Sequence, residues 1–101
     1  MKAAYRFRIS DDVALTIRGL HPDLKRKVRT AFGLLAHDVH AGKALRAELE
    51  GLRTLRAGRF RIIYRLPAGR VIEIVAVGPR ERIYEETLRL LRKPPGGDRR
   101  V

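Results

Sequence analysis

The chain has 101 residues, 45% of them apolar, a length and composition that fit one folded domain and exclude a disordered chain. It contains no cysteine, which excludes disulfides and thiolate chemistry, and no apolar run approaches the roughly 20 residues that span a bilayer. Twenty-three Lys and Arg oppose eleven Asp and Glu, giving a net charge of +12. Because guanidinium groups match phosphates, this arginine-rich excess favours a nucleic-acid partner over a merely solubilising surface. Nothing at the start is typical of a secretion signal, so we expect a cytoplasmic protein.

The first third of the chain predicts a strand followed by two helices. Alternating apolar residues in Ala3–Ile9 predict the strand, and Ser10 offers an N-cap for the first helix. A break at Gly19–Pro22 ends that helix, and Pro22 suits the first turn of the next one. The second helix has an apolar stripe at helical spacing, formed by Leu24, Val28, Phe32 and Leu35. The two helices are therefore expected to form a hairpin.

A strand period of two begins after Gly51, beyond a loop at His37–Lys43 and an ambiguous segment at Ala44–Leu49. Two turns, Ala57-Gly58 and Pro67–Arg70, separate the strands of an antiparallel meander. The predicted strands are Leu52–Arg56, Arg59–Leu66 and Val71–Val77, and a short helix at Ile83–Leu91 follows them. Residues 92–101, rich in proline, glycine and charge, predict a mobile basic tail.

These elements predict an α+β fold in the order β-α-α-β-β-β-α, with helices against one face of a mostly antiparallel sheet. Residues 1–91 form a single domain in this interpretation. Strand parity puts apolar side chains on both sheet faces: Phe60, Ile62, Val75 and Val77 on one, and Ile63, Ile72 and Ile74 on the other. The helical hairpin can cover only one face, so the other needs the terminal helix or a partner.

The predicted register gathers arginines at one end of one sheet face. A two-residue turn at Ala57-Gly58 pairs Arg56 with Arg59, and a four-residue second turn pairs Arg61 with Ala76. The gathered residues are Arg56, Arg59, Arg61 and Arg80. Like charges across a strand pair destabilise a sheet, so the cluster predicts a polyanionic ligand. The alternative is that each arginine lies over apolar surface with its charged head in water.

Other chemistries have little support, and neither a cofactor nor a metal is expected. His37 and His40 are three residues apart and flank Asp38, but no fourth metal ligand stands out. No phosphate-binding glycine loop and no nucleophile elbow is present in the sequence. Glu81 is expected to be solvated or paired with an arginine of the last helix.

Two sequence blocks carry a family resemblance: GLRTLRAGRFRIIYR at residues 51–65 and VAVGPRERIY at residues 75–84. Leu20-His21-Pro22 at a helix start and Gly42–Leu45 before the sheet fit the same pattern. Together they resemble the RelE/ParE toxins of bacterial type II toxin–antitoxin systems, and the resemblance implies the same fold. RelE-like members cut mRNA in the ribosomal A site and are held inactive by an acidic antitoxin, whereas ParE-like members inhibit DNA gyrase.

The resemblance implies roles for three residues. Arg61 matches the family arginine that stabilises the scissile phosphate, Arg80 the second catalytic arginine, and Tyr84 the tyrosine that stacks on or orients the nucleotide. Two lysines that some RelE enzymes carry before the first hairpin are not matched, since Leu52 and Thr54 fall near those positions. The general acid and base therefore have no assignment. The further candidates for RNA binding are Arg53, Arg56, Arg59, Arg65 and Arg82.

The favoured interpretation is a metal-independent, ribosome-dependent endoribonuclease that uses the neighbouring 2′-hydroxyl of the RNA as nucleophile. One alternative is a ParE-like gyrase inhibitor that performs no chemistry, which the missing lysines favour. Another is a degenerate toxin that acts only in operator binding by its antitoxin complex. All three imply an acidic antitoxin as partner, operator DNA bound only through that antitoxin, and no membrane.

Overall fold

The computed structural model of the chain describes residues 5–92. Within them the α-helices are α1 (Asp11–Arg18), α2 (Pro22–His37) and α3 (Ile83–Arg92). The strands are β1 (Arg6–Ile9), β2 (Lys43–Ala44), β3 (Arg53–Ala57), β4 (Phe60–Arg65) and β5 (Val71–Pro79), and a 3₁₀ turn spans Ala47–Leu49. The predicted tail at residues 92–101 lies outside the described residues, except for Arg92, which ends α3.

The two helices of the hairpin begin where the sequence predicts, because side chains cap their first turns. The Ser10 hydroxyl accepts a hydrogen bond from the Val13 backbone N–H at 3.2 Å. At the start of α2, the His21 ring nitrogen Nδ1 accepts from the Asp23 backbone N–H at 3.1 Å, and Pro22 occupies the first turn. These caps set the points at which the chain leaves β1 and enters each helix.

The five described strands form one sheet in the order β1-β5-β4-β3-β2. The predicted antiparallel meander is β3, β4 and β5; β1 joins β5 in parallel, and the short β2 joins β3 antiparallel. The ambiguous segment Ala44–Leu49 contributes the end of an edge strand and the 3₁₀ turn. The predicted α+β fold is confirmed. None of the helices within residues 5–92 is long and apolar enough to cross a membrane.

The hairpin between β3 and β4 turns at Gly58-Arg59, one residue later than the predicted Ala57-Gly58. Arg56 consequently pairs with Arg61 rather than with Arg59. Gly58 has a φ of 64°, and glycine adopts a positive φ at the first central position of a two-residue turn without a Cβ clash. The register moves by an even number of residues, so Arg56 and Arg61 remain on one face as predicted.

A β-bulge at Val75 changes the faces predicted for β5. Ile63 pairs with Ala76, but the next residue, Tyr64, pairs with Ile74, which leaves Val75 without a partner on β4. One extra residue reverses the in–out alternation of every residue beyond it. The side chains that lie on the face contrary to the prediction are Ile72, Ile74 and Val75.

Apolar side chains fill both sides of the sheet. The larger cluster lies between the sheet and the α1–α2 hairpin, and its fully buried members are Val28, Leu35, Ile62, Tyr64 and Ile72. The smaller cluster lies beneath α3 and consists of Leu52, Ile63, Ala76 and Ile83. The helices therefore flank both faces rather than one. The hairpin covers one face, and α3, one of the two coverings expected for the other face, packs on the smaller cluster.

The hydroxyl of Tyr64 ties the loop after α2 to the sheet. It donates a hydrogen bond to the Val39 carbonyl at 2.9 Å and accepts one from the Gly42 backbone N–H at 3.0 Å. A Cβ atom on residue 42 would lie 2.5 Å from the Thr54 carbonyl oxygen and 2.8 Å from this hydroxyl. Only glycine fits there without moving backbone atoms.

Candidate functional site: an arginine-lined cavity

A cavity of about 250 Å³ opens at the end of the sheet beside the β3–β4 turn. We call it the arginine cavity; its lining residues are Arg56, Gly58, Arg59, Arg61, Arg80 and Glu81. Arg56 and Arg61 are directly paired across β3 and β4. Arg80 follows β5, and its backbone N–H donates a hydrogen bond to the carbonyl of Arg59 in the turn at 3.2 Å. The structure thus brings together the four arginines that the sequence placed at one end of one face.

Gly78 lets the first turn of α3 pack beside the arginine cavity. It lies on β5 directly opposite Arg61, where the sequence predicted Ala76; Ala76 instead pairs with Ile63. A Cβ atom there would lie 3.0 Å from the Ile83 Cδ1 atom and 3.5 Å from the Glu86 Oε1 atom. Because the segment between Gly78 and Ile83 carries Arg80, the close packing of α3 on this glycine holds Arg80 on the same side of the sheet as Arg61.

The four arginines that line the cavity form no ion pair with a carboxylate among residues 5–92. Among residues 5–92, no carboxylate oxygen lies within 4.0 Å of their guanidinium nitrogens. The Arg61 Nε atom is buried and has no hydrogen-bond partner within the same residues. An unpaired buried donor costs about 1–3 kcal/mol, and the like charges of Arg56 and Arg61 across one strand pair add to that cost. An anion in the cavity would reduce both penalties, because it accepts hydrogen bonds and offsets the charge.

Tyr84 and Arg82 lie outside the lining of the arginine cavity. Tyr84 is half-buried on α3 and packs against the smaller apolar cluster, on the same side of the sheet as Arg61. Arg82 is exposed in the turn before α3, and its carbonyl accepts a hydrogen bond from the Glu86 N–H at 3.0 Å. Both residues therefore flank the cavity rather than line it.

Two other predicted RNA-binding residues have internal partners. The Arg53 guanidinium donates hydrogen bonds to the carbonyls of Gly42 at 2.6 Å and His40 at 3.2 Å. Arg53 also lies three residues from Arg56 on β3, which places it on the opposite sheet face. Arg65 is paired with Glu73 across β4 and β5 at 2.5 Å. The structure therefore separates Arg53 and Arg65 from the arginine cavity.

Glu73 is the acidic centre of a small ion-pair group at the start of β5. The hydrogen bond from Arg65 lowers the pKa of the Glu73 carboxyl below its usual 4.5, partial burial opposes that shift, and Arg8 at 3.2 Å adds to the lowering. Here one carboxylate pairs with two guanidinium groups, which leaves one net positive charge. The four arginines of the cavity, on the same sheet, have no such carboxylate partner among residues 5–92.

Glu81 is the lining residue that sequence reasoning missed. It is exposed, in line with the expected solvated side chain, but it also lines the arginine cavity and has no cation within 4.0 Å among residues 5–92. The only signal in the sequence is that Glu81 directly follows Arg80. For the histidines, the described part of the chain holds no group of three His, Cys, Asp or Glu residues close enough to bind a metal.

Comparison with protein families gives one match that covers most of the chain. The sequence model of the ParE toxin of type II toxin–antitoxin systems, parDE, matches residues 8–84. A comparison with curated proteins finds no match.

Solved structures of toxins share the fold. The toxin–antitoxin complex RelBE2 from Mycobacterium tuberculosis is 30% identical, with a TM-score of 0.67, and the match covers 77% of this chain and 100% of that one. The RelE–RelB complex from Pyrococcus horikoshii is 23% identical, with a TM-score of 0.63 and coverages of 77% and 97%. A mutant of the E. coli toxin RelE in the free state is 19% identical, with a TM-score of 0.67 and coverages of 86% and 97%. The last two matches show the fold alone. The family match and the 30% identical relative agree, and the chain belongs to the RelE/ParE family of type II toxin–antitoxin toxins.

Proposed function

We propose that this toxin is a ribosome-dependent endoribonuclease that cleaves mRNA in the A site. The observation that carries the proposal is the arginine cavity, which is lined by four arginines without a carboxylate partner among residues 5–92. The buried Arg61 Nε atom also lacks a hydrogen-bond acceptor within those residues. A phosphodiester would supply both the acceptor and the negative charge. Since its substrate is on the ribosome, the toxin acts in the cytoplasm.

The reaction needs orientation and charge stabilisation from the protein, because RNA carries its own nucleophile, the 2′-hydroxyl. Arg61 binds the non-bridging oxygens of the scissile phosphate, on which negative charge grows in the transition state, and Arg80 stabilises the departing 5′-oxygen. Each well-placed donor of this kind contributes about 3–4 kcal/mol. Arg56 and Arg59 hold the neighbouring backbone. No metal is needed for this chemistry.

Residues around the cavity complete the proposed RNA contact. Tyr84, half-buried beside the smaller apolar cluster, offers an aromatic face on which a base displaced from its neighbours can stack. Arg82 is exposed next to it and is free to meet a phosphate of the same strand. Arg53 and Arg65 have internal partners, so their contribution to RNA binding is small in this proposal.

Cleavage on programmed ribosomes tests the proposal. Wild-type protein is expected to cut mRNA in the A site and to leave cyclic phosphate and 5′-hydroxyl ends. Arg61→Ala and Arg80→Ala are each expected to lower the single-turnover rate by about 10²–10³-fold, because each removes a donor to the transition state. Arg89→Ala, an exposed arginine on α3 that does not line the cavity, is the matched control and keeps the rate. Intact transcripts with wild-type protein, or unchanged cuts with both cavity variants, contradict the proposal.

A gyrase inhibitor of the ParE kind is the second candidate. Two observations favour it: the matching family model is that of ParE toxins, and arginines, which are poor acids and bases, line the cavity. A supercoiling assay with purified gyrase distinguishes the two candidates. Inhibition combined with intact mRNA favours gyrase as the target, and full supercoiling at excess toxin excludes it. A degenerate toxin produces neither effect and permits normal growth when induced alone.

An acidic antitoxin is the proposed partner in either case. The similar structures from M. tuberculosis and P. horikoshii are toxin–antitoxin complexes. In this chain, a largely apolar groove of about 370 Å³ between α1 and α2 carries cations along it, and its lining includes Ile17, Val28, Phe32, Arg18, Lys25 and Arg29. An acidic amphipathic segment suits this combination, and operator DNA is then bound through the antitoxin. Co-expression with the neighbouring reading frame is expected to yield a stoichiometric complex with an acidic protein; a stable monomer without such a neighbour contradicts it.

A further inference from the structure

Glu81 is the residue lining the arginine cavity that can accept a proton at neutral pH. The other lining residues are Gly58 and four arginines, and arginine is a poor proton acceptor. Glu81 is exposed in the turn between β5 and α3, directly after Arg80. Neither Glu85 nor Glu86, the next acidic residues along the chain, lines the cavity.

Glu81 and the four arginines line one cavity without a direct ion pair, so a ligand bound in the cavity can contact both. Glu81 shares a cavity with four guanidinium groups, yet no guanidinium nitrogen within residues 5–92 lies within 4.0 Å of its carboxylate. Glu73, a carboxylate that does neutralise its surroundings, pairs directly with Arg8 and Arg65. A ribose phosphate held between Glu81 and the arginines would contact both: its phosphate the guanidinium groups, and its hydroxyl the carboxylate.

We infer that Glu81 is the general base of the cleavage reaction, an inference that rests on the endoribonuclease activity proposed above. With the scissile phosphate bound by Arg61, the adjoining ribose 2′-hydroxyl transfers its proton to the Glu81 carboxylate. The 2′-oxygen forms its bond to phosphorus while the bond from phosphorus to the 5′-oxygen breaks. The leaving 5′-oxygen takes a proton from solvent water, and protonated Glu81 returns its proton to solvent, so protons and charge balance.

In-line attack also suits the position of Glu81 in the chain. The base and the group that stabilises the leaving oxygen must approach the phosphorus from opposite sides. Residues two apart on a strand share one face and would approach from one side. Arg80 and Glu81 are consecutive residues in a turn, which allows one side chain to serve the leaving oxygen and the other the attacking oxygen.

Glu81→Gln tests the inference, because it keeps the size of the side chain and removes its capacity to accept a proton. Single-turnover cleavage on ribosomes is expected to fall by about 10²–10⁴-fold, and the acidic limb of the wild-type pH–rate profile is expected to disappear. Glu85→Gln makes the same change in charge on the exposed surface of α3, and it keeps both the rate and the profile.

Binding to an uncleavable transcript separates catalysis from binding. A transcript with a 2′-deoxy sugar at the cleavage site is expected to bind the Glu81→Gln protein on ribosomes as tightly as wild type, or more tightly, because the variant removes a negative charge from a cationic cavity. Affinity that falls along with the cleavage rate would make Glu81 a binding or structural residue and would overturn the inference.

A transcript with sulfur in place of the scissile 5′-oxygen separates the base from the acid. A thiolate leaves without a proton, so this substrate restores a variant that lacks a general acid but not one that lacks a general base. Glu81→Gln is expected to stay slow on it, and restoration would overturn the assignment as base. If wild type and Glu81→Gln cleave the ordinary transcript equally fast, the inference about Glu81 is wrong and the proposed ribonuclease activity stands. If wild type does not cleave the transcript, both the activity and the inference are wrong.

Discussion

Arg61 and Arg65 share one face of β4, but they have different partners across the sheet. Glu73 lies opposite Arg65 on β5 and pairs with it, so that arginine is neutralised inside the fold. Gly78, which has no side chain, lies directly opposite Arg61. At the residue scale, the cross-strand neighbour thus determines which arginine forms an ion pair within the sheet and which does not.

Arg56→Gln is expected to stabilise the folded protein while weakening its function. It removes one of two like charges that are directly paired across β3 and β4, and the free energy of unfolding should rise by about 0.2–1 kcal/mol at low salt. The gain should shrink at high salt, where screening already weakens the repulsion. Thermal unfolding at two ionic strengths measures it, with the exposed Arg46→Gln as control. A variant less stable than wild type at low salt would show that the cavity arginines do not repel one another.

Glu73→Gln is expected to lower stability at neutral pH and to have little effect in acid. Because the folded-state pKa of Glu73 is lowered, its ionised form contributes stability above the unfolded pKa near 4.5, and that contribution disappears as the pH falls through the folded pKa. The difference from wild type should be about 1 kcal/mol or less at pH 7, since the paired arginines are partly exposed. Urea unfolding from pH 7 to pH 3 measures it; a gap that widens in acid would reverse the sign assigned here.

At the element scale, β5 does most to shape the site. Its bulge at Val75 turns Ile72 and Ile74 towards the helical hairpin, while Ala76 and Gly78 stay on the side that α3 covers. The strand then ends at Pro79, where the chain turns and supplies the last cavity arginine and Glu81. Because of the bulge, β5 contributes side chains to both apolar clusters, and its C-terminal end still lies beside the arginine cavity.

Gly42→Ala and Gly33→Ala are expected to change stability in opposite directions. At position 42 the added methyl group would meet the Thr54 carbonyl and the Tyr64 hydroxyl, so the loop-to-sheet tie should be lost at a cost of about 1–3 kcal/mol. At position 33, in the middle of α2, nothing lies within 4 Å of the added Cβ, and alanine should stabilise the helix by about 0.5–1 kcal/mol. Denaturant unfolding measures both, and a neutral Gly42→Ala would mean that the tie contributes little.

At the scale of the whole molecule, stability and function oppose each other. A net charge of +12 on 101 residues repels itself in the compact state, and four of the cations lie in one cavity without internal partners among residues 5–92. The two apolar clusters on opposite sides of the sheet supply the burial that offsets this repulsion. An acidic partner relieves the same repulsion from outside, which gives a physical reason for an antitoxin to bind the folded toxin tightly.

Local features of the sequence determined most of the fold and the membership of the arginine cluster. Caps such as Ser10, the apolar stripe of α2 and the period of two after Gly51 involve neighbouring residues, and they predicted each main element correctly. Arg56 and Arg61 were placed on one face despite a misplaced turn, because a register error of an even number of residues leaves strand faces unchanged. The alternation of side chains along a strand depends on that strand alone, so such a register error does not change it.

Tertiary structure alone decided the bulge, the choice of α3 rather than a partner to cover the second face, and the place of Glu81. A bulge at Val75 depends on how β5 fits both β4 and the two cores, which no local pattern specifies. α3 lies on the far side because Ile83 finds its apolar contacts there, against Gly78. Glu81 enters the cavity only because that packing turns the chain back beside the β3–β4 hairpin. These features depend on contacts between residues that are distant in the sequence. Such contacts form only in the assembled core, so no local sequence pattern predicts them.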